Sequence, residues 1–203
     1  MNILIIGSGG HALVVADIIS VMEDMKPLGF ISGETTVGRE KRNLPVLGDD
    51  NDVPSIPHDS IVLAIGDNGI RKKVHDFHTA NGESLISAIH PSAIIAEDVT
   101  IEPGCMICAG VVINSGSRIG GNTILNTGCT IDHDCVIGPH AFIAPGVNLA
   151  GNVTIREGAL VGIGACTIQG ITIGKWATVG AGGAVIKDVA PETTVVGVPA
   201  RIK

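Results

Sequence analysis

From Ile95 to Val185 every sixth residue is aliphatic, with Thr167 the one exception, and no insertion breaks the count. Four places after each of these positions stands a second, mostly smaller residue: Val99, Cys105 and Val111 open that series, and Ala177, Gly183 and Val189 close it. Amphipathic helices and ordinary strands have much shorter periods, so a period of six fits neither. A repeat this short cannot bury its apolar positions alone and has to stack on its neighbours, which predicts a parallel β-solenoid. Gly and Asn gather between the apolar positions, where the coil has to turn tightly.

The preceding residues follow another pattern. Asn2 to Ile6 form an apolar run that leads into Gly7-Ser8-Gly9-Gly10-His11-Ala12, and Leu13 to Ile19 continue at helical spacing. Strand, Gly-rich turn and helix together aim backbone N–H groups and a helix N-terminus at an anion. Ala12 stands where the six-residue dinucleotide fingerprint requires Gly, so a dinucleotide cofactor is not indicated. Further strands are expected at Pro27 to Ser32 and Ile61 to Gly66, and a helix with Arg71, Lys72 and Lys73 at Ile70 to His78. The alternation predicts a small Rossmann-like α/β domain at 1–88, with ligands at its strand C-termini, followed by the solenoid and a C-terminal tail at 89–203.

Composition narrows the class. The chain is 45% hydrophobic, yet it has no Tyr, one Trp and three Phe, so the interior is aliphatic, as a narrow solenoid needs. A formal charge of -7 without a Lys/Arg run argues against nucleic acid or an anionic membrane as partner. The first residues lack the basic region of a signal peptide and no segment reaches membrane-spanning length, so a cytoplasmic location is expected. Cys105, Cys129 and Cys135 fall on the small inward series and read as buried thiols; Cys108 and Cys166 show no ligand spacing.

Several motifs together carry a resemblance that spans nearly the whole chain. They are Gly9-Gly10-His11, Ala64-Ile65-Gly66-Asp67-Asn68 with Arg71-Lys72, His90-Pro91, Asp132-His133-Asp134 and the hexapeptide run itself. The sequence resembles the NeuD/PglD-type sugar acetyltransferases, whose hexapeptide repeats form a left-handed parallel β-helix of triangular coils. The resemblance implies acetyl-CoA as acetyl donor, a nucleotide-sugar acceptor, no metal, and a homotrimer whose sites are shared between chains. It implies acetylation of an amino group on a nucleotide-linked 4-amino-deoxysugar; sialic acid O-acetylation is the alternative acceptor chemistry. Residues eighteen apart should stack, placing Ser115, His133, Gly151 and Gln169 in one column.

Acetyl transfer from a thioester to an amine needs a base for the amine proton and donors for the developing oxyanion. His133 is the expected base, since an imidazole titrates near neutrality. Either Asp132 or Asp134 could orient its ring; by resemblance the carboxylate directly after the His, Asp134, takes that role. Gly151 matches the Gly whose amide contacts the acetyl group, and Asn126 an Asn near the substrate amine. Gly9, Gly10 and His11 should approach the nucleotide phosphates, with Asn68, Arg71 and Lys72 nearby. Gly162, Ala165, Gly180, Ala181 and Gly182 are small enough to admit CoA along an outer edge, and the tail with Gly197 and Pro199 resembles the family's CoA-binding closing segment. Phe142 stands where many relatives carry a His.

Two other classes share this fold. A zinc enzyme of the carbonic anhydrase-like type needs three suitably placed His, whereas the repeat offers only His133 and His140, seven apart and on unlike positions. A non-catalytic nucleotide-sugar sensor would bind without turnover, and the intact Asp132-His133-Asp134 set argues against it.

Overall fold

A computed structural model describes every residue except Thr35. Its first part is a sheet of five strands: β1 (Asn2–Ile6), β2 (Lys26–Ile31), β3 (Glu40–Lys41), β4 (Leu44–Gly48) and β5 (Ser60–Leu63), in the order β3-β4-β2-β1-β5. All pairings are parallel except that of β3 with β4. The short hairpin was not expected from sequence, because Pro45 and Gly48 interrupt the apolar run around it. The third expected strand is also shorter than read, closing at Leu63 so that Ala64 to Gly66 are free to form a loop.

Two helices flank this sheet, α1 (Gly10–Val21) and α2 (Asn68–Ala80). The apolar residues of α1 are not confined to one stripe, since Ala12, Val15, Ala16, Ile18 and Ile19 are all buried. A helix that is apolar on several sides needs cover on several sides. Here α1 lies between Ile3 and Ile5 of the sheet and Ala88, Met106, Cys108 and Ile124 of the solenoid, in one continuous apolar cluster.

The solenoid is built from two-residue strands on three faces. The first face starts at Ala88–Ile89 and continues through Met106–Ile107, Ile124–Leu125, Phe142–Ile143, Leu160–Val161 and Thr178–Val179; it ends with Thr194–Val196 and the antiparallel Arg201–Ile202. The second face runs from Ile94–Ile95 to Ala184–Val185, the third from Thr100–Ile101 to Thr172–Ile173. Stacking follows the eighteen-residue step, as in Ile95↔Ile113↔Ile131↔Leu149. The strand Ala88–Ile89 already belongs to the solenoid, so a division at 88/89 passes through it.

Both repeat series point inward. Leu125, Ile131, Ile143 and Ile155 are fully buried, as are Val111, Cys129, Ala141 and Val153 from the smaller series. Each such aliphatic side chain contributes roughly 1.5–3 kcal/mol. Polar members of the series bond to backbone of the next coil: Ser117 Oγ donates to Asp132 O (2.8 Å) and accepts from Cys135 N (3.1 Å). Thr167, the exception to the aliphatic count, accepts from Ala150 N (3.1 Å) through Oγ1.

Candidate active site

The C-terminal ends of β1, β2 and β5 open onto a cavity of about 500 Å³, lined by Gly7 to His11, Ile31 to Glu34, Asp50, Ala64 to Gly66, Ile70 and Val74. Gly7 is in the left-handed region (φ +112°), and a Cβ there would come within 2.8 Å of Ala64 O, so the first strand can approach the fifth only with Gly at this position. Gly9 and Gly10 leave open space where side chains would stand, and Gly9 precedes α1 without any side-chain cap. The start of α1 thus faces the cavity at Gly9, Gly10 and His11, the helix end at which an anion is favoured, while Ala12 N already donates to Gly9 O (3.1 Å).

His11 lines the cavity. Its Nε2 is buried without a hydrogen-bond partner among the described residues, and burial, assisted by the Arg71 charge, lowers its pKa to about 4. It therefore enters the site neutral. Ser8 Oγ donates to Ser32 Oγ (2.9 Å), and Lys41 Nζ donates to the Ser8 carbonyl. Asp50, which sequence reasoning missed, accepts from the buried His78 Nε2 at 2.8 Å. It follows β4 in a Gly-Asp-Asp turn at the same sheet edge, a placement that only recognition of that strand would have exposed.

Asn68, Arg71 and Lys72 are not among the residues that line this cavity, although Arg71 donates to the Ile65 and Gly66 carbonyls of its wall. Arg71 is fully buried and donates to backbone carbonyls on both sides of the α2–solenoid junction. Asn68 Nδ2 donates to Gly158 O (3.0 Å) and Ala159 O (3.3 Å). Lys72 pairs with Asp76 one helical turn along (2.6 Å). Of the basic run only Arg71 is buried, because the solenoid edge offers it backbone carbonyls; Lys72 is half-buried and Lys73 exposed.

His133 projects from the edge between the second and third faces, and Asp134 N→Ser115 O (2.9 Å), Asn152 N→His133 O (2.9 Å) and Gly170 N→Gly151 O (3.0 Å) tie the expected column together. Its Nδ1 meets Asp134 Oδ2 at 2.8 Å. Asp132 turns to the backbone instead: its Oδ1 accepts from His133 N (2.8 Å) and from Asn114 Nδ2 (3.0 Å). The two carboxylates thus divide the work, Asp134 orienting the ring and Asp132 the main chain. The Asp134 hydrogen bond, followed by the charges of Asp132 and Asp134, raises the His133 pKa. Bonds from Asn114 and then His133 N hold Asp132 below its usual range.

Glycine makes this pair possible on each side. A Cβ at Gly151 would stand 2.5 Å from His133 Nε2, and one at Gly116 would stand 2.4 Å from Asp134 Oδ1. The space at Gly151 is occupied by the imidazole itself.

The remaining expected residues lie on a different edge, between the first and second faces. Asn126 is there, its Oδ1 accepting from Thr127 N (2.8 Å), as are Gly162, Gly180, Ala181 and Gly182. Gly197 joins them, accepting from Ala184 N (3.0 Å), with Pro199 after a cis Val198–Pro199 bond. Ala165 differs from them in that its side chain is fully buried in the core. A Cβ at Gly162 would be 2.6 Å from Val179 O, and one at Gly180 2.8 Å from Val196 Cγ1, so these glycines serve coil stacking; Ala181 and Gly182 lie open at the surface. Within one chain the His133 edge and this edge are separated by the whole second face.

His140 is buried, with Nδ1 at 2.8 Å from Asn122 Nδ2, and burial together with the His75 charge lowers its pKa to about 4. Among the described residues, His75, Asp76 and His140 form a His/carboxylate group with ligand atoms within 4.8 Å of one another, but Asp76 already carries Lys72.

Residues 2–77 match the family described as PglD N-terminal domain, and 116–151 match bacterial transferase hexapeptide (six repeats). The chain superposes on a variant of perosamine N-acetyltransferase from Caulobacter crescentus, solved with CoA and GDP-perosamine, with a TM-score of 0.96 and 38% identity; the match covers 100% of this chain and 97% of that one. The acetyltransferase domain of PglB from Neisseria gonorrhoeae FA1090, solved with acetyl coenzyme A, gives a TM-score of 0.94 at 33% identity, covering 100% and 98%. A serine acetyltransferase from Bacillus pumilus is 39% identical over 80 residues, a match that takes in 36% of this chain and only 37% of that enzyme. That match takes in about a third of the chain, whereas the first two likenesses run through its whole length. With both halves of the chain matched in order and its whole length shared with such enzymes, the protein belongs to the NeuD/PglD-type sugar acetyltransferases of the hexapeptide-repeat superfamily.

Proposed function

We propose that the protein transfers the acetyl group of acetyl-CoA to the amino group of a 4-amino-deoxysugar carried on a nucleoside diphosphate, with His133 as general base. The observation that carries this reading is the likeness, over the full chain, to an enzyme solved with CoA and GDP-perosamine, which makes a GDP-linked 4-amino sugar the first acceptor to test. The α1 N-terminus with Gly9 and Gly10 supports binding of the diphosphate, and neutral His11 supplies a polar group without a charge.

Neutral His133 accepts the proton as the amine nitrogen attacks the thioester carbonyl. Asp134 stabilises the imidazolium that results, and the proton then passes to the departing CoA thiolate, leaving free thiol and amide. Because the His133 edge and the Ala181-Gly182 edge of one chain lie apart, a second copy has to bring its edge to the first. Closed three-fold association does this with one type of contact, so we assign the working form as a homotrimer. The unpaired state of all five cysteines supports a cytoplasmic setting, where thioester is available. No helix of the described residues is long and apolar enough to cross a membrane.

The test is thiol release from acetyl-CoA over GDP-, UDP- and dTDP-linked 4-amino-4,6-dideoxyhexoses beside free and CMP-linked sialic acid. Turnover confined to an amino-sugar nucleotide is the expected result. Reaction with the sialic acids alone would replace it by O-acetylation, and nucleotide-sugar binding without thiol release would point to a sensor.

A further inference from the structure

Arg71 is the largest fully buried side chain of the α/β domain, and its guanidinium bonds join two parts of the site. Nη1 donates to Ile65 O (3.1 Å) and Gly66 O (3.2 Å), in the loop that forms one wall of the nucleotide cavity. Nε donates to Asn122 O (3.1 Å), and Nη2 to His140 O (2.8 Å) and Ala141 O (3.2 Å), all on the solenoid edge between the third and first faces. Nη2 also donates to Asn68 Oδ1 (2.9 Å), whose Nδ2 reaches Gly158 and Ala159 on the next coil. Asn122, His140 and Gly158 are eighteen apart and all left-handed (φ +55°, +59° and +67°), so one column turns its carbonyls outward along the edge.

We infer that Arg71 is a positioning residue: it clasps the wall of the nucleotide cavity to successive solenoid coils and so sets where an acceptor amine stands relative to the acetyl site. No carboxylate pairs with it among the described residues, so its charge rests on carbonyl dipoles and on nearby Asp67. Lys cannot reproduce this, because its three donors radiate from one atom while the five donors of guanidinium form a planar fork. Packing of α1 against the solenoid is independent of the clasp, so weakening the clasp should shift the cavity wall without releasing the domain.

This rests on the two-ligand reading above, and the test separates the two. Arg71→Lys is compared with wild type in three measurements: affinity for the nucleoside diphosphate and for CoA separately, kcat for transfer, and hydrogen exchange of the amides over 64–82 without ligand. The expected result is both binary affinities within about twofold, kcat lower by roughly tenfold or more, as small misplacements cost, and faster exchange confined to 64–82. A variant with native kcat and native exchange overturns the inference, as does loss of either binary affinity equal to the loss in kcat. If wild type shows no transfer, the proposed function fails while the exchange comparison still decides whether Arg71 clasps the wall. Should Arg71→Lys not fold, Asn68→Ala takes its place, since it releases the Gly158 and Ala159 carbonyls without leaving a buried charge unpaired.

Discussion

His133 lies over the α-carbon of Gly151, so close that a methyl group added there would stand 2.5 Å from Nε2 and 2.6 Å from Cε1. The ring is held between this glycine and Asp134, whose own carboxylate rests on Gly116 one coil earlier. Gly151→Ala is therefore expected to push the imidazole away while the solenoid stays folded. Transfer should fall roughly ten- to hundredfold, the cost of displacing a catalytic group by about an ångström. Thiol release and a thermal melt on the same preparation check both parts.

Removing the base itself should cost more. His133→Ala is expected to lower kcat by roughly two to four orders of magnitude. Size-exclusion chromatography should show the same oligomer as wild type, because the side chain is exposed and bears on no core contact.

Asp134 raises the His133 pKa, and transfer requires the neutral ring. Activity should therefore rise with pH along a limb set above the ordinary histidine value of about 6.5. Asp134→Asn removes the main cause of the shift, so the limb should move to lower pH while the maximal rate drops. A pH profile of kcat/KM for both proteins reads this directly; an unmoved limb would mean that another group controls it.

Two histidines with pKa values shifted the other way couple folding to pH. His11 and His140 titrate at about 4 in the folded protein, mainly through burial, and near 6.5 when unfolded. Between these values the unfolded chain binds more protons, so stability is lost as pH falls from about 6.5 to 4, by at most roughly 1.4 kcal/mol per pH unit for each group. Urea melts at pH 7 and pH 5 should show the loss, and His140→Gln should flatten it.

Cys105, Cys108, Cys129 and Cys135 are buried, and burial raises the pKa of each thiol, to about 11 for Cys105 and Cys108 and about 12 for Cys129. An aromatic disulfide reagent should leave these four unreacted in the native protein, with Cys166 alone open to it, and titrate all five in denaturant. Fast reaction of any of the four in native protein would show that the coils open.

The solenoid was legible because its information is local and repeated. Every hexapeptide places its aliphatic and small residues against translated copies of themselves, so Ile95 to Val185 gave the coil, its register and the column of His133 before any tertiary contact was known. The strand and turn at Asn2 to His11 were equally local, since Gly7 supplies the left-handed backbone (φ +112°) that the turn needs and other residues rarely adopt. Tertiary structure decided what depends on which surface meets which. A basic pair at the start of α2 reads as a phosphate site, and only the docked solenoid edge, with its outward carbonyls, makes Arg71 a buried clasp and leaves Lys72 to Asp76. Spacing placed Gly151 beside His133, but whether its missing side chain made room for substrate or for the imidazole depended on the ring's rotamer, which Asp134 sets. Asn126 and Gly182 matched family positions, yet a triangular coil carries them to another edge from His133, because six residues along the chain turn one corner.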